Sequence, residues 1–293
     1  MWIVLAAALL GVHLPTSGAP SAAPVLVVQL EGAIGPASAD FAIRGIDRAA
    51  REGAQLVVVQ LDTPGGLDSS MREIIKHILA SPVPVATWVA PSGARAASAG
   101  TFILYASHFA AMAPGTNLGA ASPVAIGGPS AMPGSQPKAS PSATEPEPKQ
   151  RATPSAPGQA DTLSRKQFND AAAYIRGLAQ LRGRKADWAE RAVRDAVSLS
   201  AQEAVAQGVV DLLAADLPEL LKQLHGRQVS AAGKQLTLAT EAAPVIEVQP
   251  DRRTKLLSAI TNPSVAYLLV IIGIYALIFE FSIPGMVLPG VVG

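Results

Sequence analysis

Cysteine is absent from this 293-residue chain, and its formal charges nearly cancel, giving a net charge of +1. The absence of cysteine excludes disulfide scaffolds, thiolate metal sites and cysteine nucleophiles. Histidine is scarce, and its four positions show no metal-ligand spacing: His13, His77, His108 and His225. No basic stripe with interleaved aromatics is present. We therefore predict no metal, no cofactor and no nucleic-acid partner.

Charged residues make up only 15% of the chain, whereas hydrophobic residues make up 49%, so we expect part of it to lie in a membrane. The apolar run at 2–12, followed by small residues, predicts a signal peptide over residues 1–23. A second apolar run, at 265–279, predicts a transmembrane segment within residues 256–293, with a buried core helix as the alternative. The basic residues before it favour a cytoplasmic domain, but the signal peptide favours export. We follow the signal peptide and predict an extracytoplasmic domain attached to the membrane.

Short apolar runs recur every 25 to 30 residues and predict parallel strands: 25–30, 56–61, 83–89 and 109–113. Helix-period segments lie between the first three, at 38–51 and 67–80. Strands that are apolar on both faces and alternate with helices indicate an α/β fold built from repeated βα units. We assign this domain to residues 24–225 and predict a linker or small β extension over residues 226–255.

Proline-rich sequence interrupts the domain. Nine prolines occur between Pro123 and Pro157, so we predict a flexible insertion over residues 124–160. A capping box at Ser164 then predicts the start of a helix whose apolar face includes Phe168 and Ile175.

Ser98 lies in a run of small residues, 93–100, between an apolar strand and an apolar helix pattern. A hydroxyl at such a junction is well placed to act as a nucleophile beside free backbone N–H groups. We predict an oxyanion hole formed by the N–H of Ala99 and that of Gly65 or Gly66. The two glycines follow the second predicted strand, 56–61, one βα unit before Ser98. An ordinary strand-to-helix turn is the alternative for the two glycines.

The general base is harder to identify. His108 lies ten residues beyond Ser98, about 15 Å away along a helix, and fits a structural role better. Lys166 is predicted in the first turn of the capped helix, where the helix dipole disfavours a cation. The alternative is a surface pair between Lys166 and Asp170, four residues apart. From the residues alone, both interpretations remain open.

Several motifs, in order, resemble the NfeD family of membrane-bound serine proteases of the ClpP class, which are encoded beside stomatin-like proteins. They are residues 62–66 (DTPGG), 90–101 (APSGARAASAGT), 113–120 (APGTNLGA), 169–176 (NDAAAYIR) and 199–204 (LSAQEA). Apart from the insertion, the resemblance covers residues 24–293. It implies a ClpP/crotonase-like fold and a Ser/Lys dyad, with Ser98 as nucleophile and Lys166 as base. It also implies cleavage of hydrophobic segments of a stomatin-like partner, and a homodimer.

Long members of the family continue through further membrane helices into a β-barrel domain, so we expect the membrane segment at 256–293 to be truncated. Two other functions remain as alternatives. A crotonase-like acyl-CoA enzyme also uses paired backbone amides, although it needs neither Ser98 nor a lysine base, and we find no acidic pair placed for it. A non-catalytic membrane scaffold for a stomatin-like protein would retain the fold for binding alone.

Overall fold

A six-stranded parallel sheet forms the centre of the protein. The computed structural model describes residues 22–123, 159–250 and 263–282. The sheet has the order β11-β1-β2-β3-β5-β8. Its strands are β1 (Val25–Glu31), β2 (Leu56–Asp62), β3 (Val85–Val89), β5 (Phe109–Met112), β8 (Leu212–Leu213) and β11 (Val245–Val248).

Each central strand is apolar on both faces because both faces of the sheet are covered. On one face, alternate residues such as Val28 and Val59 join the main core, which helices cover. On the other face, Val27, Val58 and Trp88 pack against a smaller core. The helices that contribute to the main core are α1 (Pro36–Arg51), α2 (Asp68–Ala80), α3 (Ala99–Ala106), α4 (Gln159–Arg182), α5 (Ala186–Arg194) and α6 (Ala201–Ala206). Helix α7 (Leu217–Leu224) covers the opposite face.

A second, three-stranded sheet stands over the carboxyl end of the first. It contains β4 (Arg95–Ala97), β6 (Asn117–Gly119) and β7 (Ser198–Ser200), in the order β4-β6-β7. A parallel bridge between Thr63 and Ala96 joins it to the chain that leaves β2. This junction sets the position of Ser98, which directly follows β4.

The segment predicted as a linker or β extension, 226–255, contains regular structure over its described part. Strands β9 (Gln228–Ala231) and β10 (Lys234–Thr237) form an antiparallel hairpin. Strand β11 then pairs in parallel with β1 and becomes an edge of the main sheet. Residues 228–248 therefore belong structurally to the α/β domain.

Helix α8 (Pro263–Ser282) falls in the segment predicted to enter a membrane. Many of its large apolar side chains are exposed, including Tyr267, Val270 and Phe279. Among the described residues, no helix combines the length and hydropathy needed to cross a bilayer. The predicted signal peptide falls almost entirely on residues 1–21, outside the described residues.

The predicted βα alternation is confirmed, with strand and helix limits within a few residues. The predicted start of the helix at Ser164 is wrong, because α4 begins at Gln159. Of its predicted apolar face, Ile175 is buried, and Phe168 is partly buried against the main core. The proline-rich insertion, 124–160, lies outside the described residues except for the first two residues of α4.

Candidate active site

Ser98 occupies a sharp turn between β4 and α3. Its backbone has φ 51° and ψ −115°, a conformation that is costly for any residue with a Cβ. The Ser98 N–H donates to the carbonyl of Gly119 at 2.9 Å, which ties the turn to β6. Strained strand-to-helix turns of this kind expose a nucleophilic hydroxyl above a sheet. Ser98 is half-buried, and its neighbours on either side are alanines, so access to Oγ is open.

Close packing of α3 against the end of β2 explains part of the small-residue run. A Cβ at Gly100 would lie 2.5 Å from Cγ2 of Thr63. The Thr101 hydroxyl donates to the carbonyl of Ala96 at 2.7 Å, and the Gly119 N–H donates to that hydroxyl at 3.1 Å. These contacts hold the first turn of α3 in place, and with it Ser98.

The two glycines after β2 lie beside the serine. A Cβ at Gly65 would lie 2.6 Å from Cβ of Ser98 and 3.1 Å from its Oγ. A Cβ at Gly66 would lie 2.0 Å from the carbonyl oxygen of Ile34. The Ile34 N–H donates to the Gly65 carbonyl at 2.8 Å, and the Leu67 N–H donates to the Ile34 carbonyl at the same distance. Only glycine fits this close approach to Ser98 and Ile34.

Some of the backbone N–H groups around Ser98 already donate a hydrogen bond within the protein, and others do not. The Gly65 N–H donates to Oγ1 of the buried Thr63 at 3.0 Å. Within the described ranges, the N–H groups of Gly66 and Ala99 have no hydrogen-bond acceptor. Ala99 is the first residue of α3, where N–H groups lack partners within the helix and the helix dipole is positive. Two donors therefore remain for a ligand oxygen next to Ser98.

A cavity of about 380 Å³ opens beside Ser98. Helices α2, α3 and α4 provide most of its wall. Its apolar lining includes Leu67, Met71, Phe102, Ala121 and Ala171, and its polar lining includes Asp68, Arg72, Gln167 and Asp170. Size and composition suit an apolar side chain entering from an extended peptide.

Lys166 lies on α4 next to Gln167, and its side chain is exposed. Because α4 begins at Gln159, Lys166 is in the third turn, so the predicted first-turn effect of the helix dipole is wrong. Over the described residues, no hydrogen bond joins Lys166 to Ser98, and Lys166 is not part of the cavity wall. The alternative pairing with Asp170 is also not found, because Asp170 pairs with Arg72.

His108 has a structural role. Its Nδ1 accepts a hydrogen bond from the Val85 N–H at 3.1 Å, at the start of β3. Burial, with the nearby Arg182 and Arg184, lowers the pKa of His108 to about 4. The imidazole is therefore neutral at pH 7 and is held at the opposite end of α3 from Ser98.

Residues missed by the sequence reasoning surround this site. Thr63 orients the glycine turn, Ile34 anchors it, and Gly119 fixes the Ser98 backbone. Arg72 contacts Asp68, Asp170 and the ring of Tyr174 at the cavity wall. Thr63 and Gly119 stand inside conspicuous motifs, whereas nothing local marks Ile34 or Arg72.

Comparison with known proteins places this geometry in a family. The model of the NfeD1b N-terminal domain matches residues 24–141. A structure of the 1510-N membrane-bound stomatin-specific protease, a lysine-to-alanine mutant in complex with a substrate peptide, superposes with a TM-score of 0.68 at 34% identity, covering 82% of this chain and 99% of that chain. A serine-to-alanine mutant of that protease gives a TM-score of 0.64 at 33% identity, covering 79% and 100%. The chain belongs to the NfeD family.

Two curated NfeD relatives extend the comparison. The membrane-bound protease PH1510 of Pyrococcus horikoshii is 38% identical over 271 residues, covering 92% of this chain and 55% of the relative. The membrane protein NfeD1b of Bacillus subtilis is 33% identical over 97 residues, covering 33% of this chain and 22% of the relative. The chain thus spans about half the length of PH1510 and a smaller part of NfeD1b. The α/β fold with a parallel sheet agrees with the solved protease structures.

Proposed function

We propose that this NfeD-family chain is a membrane-attached serine endopeptidase in which Ser98 is the nucleophile and Lys166 the general base. The observation that carries the proposal is the placement of Ser98. Its Oγ stands on a strained turn, beside two unused N–H groups and an apolar cavity. Mutation of a serine and of a lysine in the solved 1510-N protease supports the same pair of residue types.

Acylation begins when the neutral amine of Lys166 takes the Ser98 proton and Oγ attacks the peptide carbonyl carbon. Negative charge moves to the carbonyl oxygen, where the N–H groups of Gly66 and Ala99 stabilise it. Of the two glycines considered, Gly66 is favoured because the Gly65 N–H is already used. The proton on Lys166 passes to the leaving amine as the peptide bond breaks.

Deacylation repeats these steps with water. Lys166 removes a proton from a water molecule, whose oxygen attacks the ester carbon, and the same two N–H groups hold the second oxyanion. The C–O bond to Ser98 then breaks, and Oγ recovers the proton. Each cycle consumes one water molecule and leaves the enzyme unchanged.

Lys166 must turn across the cavity mouth to reach Ser98. Gln167, Asp170 and Ala171 form the stripe of α4 that lines the cavity. At about 100° per residue, Lys166 lies roughly 90° round the helix from the centre of that stripe. In this proposal its flexible four-carbon stem covers that offset.

The substrate proposed is an extended apolar segment of a stomatin-like protein. Apolar cavity residues face Ser98, and the same stripe of α4 continues outward to Leu163, which is 60% exposed. The relative's name identifies it as specific for stomatin. The proposal has three further parts. The chain is attached to the membrane through residues 256–293, its α/β domain is extracytoplasmic, and it forms a homodimer. The exposed apolar side chains of α8 and the membrane-bound relative support the attachment.

The test uses the purified full chain in detergent and an internally quenched apolar peptide. Ser98→Ala and Lys166→Ala should each lower kcat/KM at least about 1,000-fold. Matched controls are Ser92→Ala, in the turn between β3 and β4, and Lys76→Ala, on α2, since both side chains are exposed. The controls should retain the activity of the unmodified chain.

Three outcomes would overturn parts of the proposal. Equal cleavage by the unmodified chain and Ser98→Ala would remove the nucleophile, and equal cleavage by Lys166→Ala would remove the base. No cleavage by the unmodified chain of any apolar peptide, with retained binding of a stomatin-like protein, would favour the scaffold instead.

A further inference from the structure

Arg72 makes an unusual set of contacts at the wall of the cavity. On its own helix, α2, its Nε pairs with Asp68 at 2.8 Å. Across the cavity its Nη2 pairs with Asp170 of α4, and its guanidinium carbon lies 4.4 Å from the ring centroid of Tyr174. The Tyr174 ring in turn stacks on Phe102 of α3, with 6.1 Å between centroids. One side chain therefore connects the three helices that enclose the site.

Its partner Asp170 lies one helical turn after Lys166. Between these two residues only Phe168 is partly buried, and it packs against the main core. A hydrogen bond holds the other side of α4, where Arg194 of α5 donates to Asn169 at 3.2 Å. Residues 162–167 are all exposed. Within the described part of α4, the ion pair between Asp170 and Arg72 is the one nearest in sequence to Lys166, and it lies on the cavity side.

We infer that Arg72 is a positioning residue, which holds the amino-terminal half of α4 against α2 so that Lys166 can reach Ser98. The inference rests on the proposed function, since it gives Arg72 a role through the proposed base. The cation–π contact with Tyr174 and the fork of donors toward two carboxylates hold the guanidinium in one orientation. A lysine at this position would keep the charge but lose both constraints.

Stability is a poor readout for this role. The carboxylates of Asp68 and Asp170 are largely exposed, at 68% and 67%, so these ion pairs add little to the free energy of unfolding. The position of the Lys166 amine matters more for the rate, because a displacement of about 1 Å in a reacting group can lower the rate about 100-fold. We therefore expect an effect on kcat that exceeds the effect on melting temperature or KM.

The experiment measures kcat and KM of the full chain for the apolar peptide in Arg72→Gln, Arg72→Lys and Asp170→Asn. Arg72→Gln should lower kcat at least tenfold with KM changed less than threefold. Arg72→Lys should recover part of kcat. The double variant Arg72→Gln/Asp170→Asn should lose no more kcat than Arg72→Gln alone. Arg176→Gln is the matched control. It breaks another ion pair of α4, the 2.8 Å contact with Glu190 of α5, away from the cavity.

A kcat in Arg72→Gln within twofold of that in Arg176→Gln would overturn the inference, as would additive losses in the double variant. Hydrogen exchange separates its failure from failure of the proposed function. Amides 162–170 should exchange faster in Arg72→Gln than in Arg176→Gln, whether or not the chain cleaves peptides. If the unmodified chain is inactive, the proposed function fails and exchange alone decides: equal exchange overturns the role of Arg72, and faster exchange supports it.

Discussion

Ser98 and Gly65 form a pair in which each residue limits what the other position accepts. The serine carries a Cβ at positive φ, a strain of about 1–3 kcal/mol that persists only when its surroundings enforce it. Gly65, at φ 116°, leaves the space that the serine side chain occupies. Both residues stand out in the sequence as small residues, but the contact between them joins two distant loops, so their mutual fit could not be predicted.

Gly65→Ala tests that fit. The new methyl group would lie 2.6 Å from Cβ of Ser98, so Ser98 or the Gly66 N–H must move. We expect kcat/KM to fall at least about 100-fold. Gly93→Ala is the control, since Gly93 has φ 92° but nothing within 4 Å of the added Cβ. Equal activity of the two variants would contradict the proposed geometry.

His108 predicts a defined dependence of stability on pH. Burial lowers its pKa from the ordinary 6.5 to about 4, so between these values the unfolded chain binds more protons than the folded chain. The free energy of unfolding should therefore fall as pH drops from about 6.5 to about 4, by about 3 kcal/mol at most.

Urea unfolding across that pH range measures the effect of His108. His108→Asn keeps an acceptor for the Val85 N–H but does not titrate. Its free energy of unfolding should therefore fall by about 3 kcal/mol less over this pH range than that of the unmodified chain. His77→Asn, on α2, serves as the control and should follow the unmodified chain. A curve for His108→Asn as steep as that of the unmodified chain would rule out His108 as the cause.

Helix α3 is fixed at both ends by polar contacts. At its carboxyl end, the buried guanidinium of Arg184 donates to the carbonyls of Tyr105 and Ser107, at 3.0 and 2.9 Å. Asp211 pairs with Arg184 at 2.5 Å and also accepts the Ala110 N–H at 2.7 Å. Carbonyls at a helix end lack partners within the helix, so this ion pair completes α3 and joins it to β5 and β8.

Asp211→Ala would leave the Arg184 charge, only 2% exposed, without its carboxylate. Breaking such a buried pair costs about 3–5 kcal/mol of the free energy of unfolding. Glu52→Ala removes an i, i+4 pair with Arg48 that is 39% and 38% exposed, and it should cost less than about 1 kcal/mol. Chemical unfolding at pH 7 measures the free energy of unfolding of both variants. Similar costs for both variants would show that Arg184 and Asp211 do not fix α3.

Regular elements were predictable where the hydrophobic pattern was long. Strands β1 and β2 and helices α1 and α2 follow from periodicity because each buries a whole stripe or face. Strands β4, β6 and β7 were missed because each has three residues and forms only by pairing with distant partners. Helix α4 begins before its apparent capping box because such a signature also occurs inside helices, where the preceding residues continue the turn.

At the scale of the whole molecule, the chain joins an α/β domain to an apolar helix. The large side chains of α8 are exposed, for example Leu268 at 56% and Ile272 at 51%, which leaves them without an apolar environment in the described residues. We expect the purified full chain to float with phospholipid vesicles. Leu268→Lys/Ile272→Lys should abolish flotation, since each lysine at mid-membrane costs about 3 kcal/mol.

The control for flotation is Gln235→Lys/Thr237→Lys, which adds the same charge to exposed positions of β10. It should still float. Flotation of the Leu268→Lys/Ile272→Lys variant, or its loss in the control, would contradict attachment through α8. The sequence predicted this apolar segment, but its membrane orientation depends on flanking segments and remains a prediction.

The most direct measurement of the central claim is the site and rate of covalent labelling by a serine-reactive fluorophosphonate, followed by peptide mass mapping. The account predicts one adduct, on Ser98, formed at least about 100-fold more slowly in Lys166→Ala than in Lys76→Ala. An adduct on another residue, or equal rates in the two lysine variants, would contradict it.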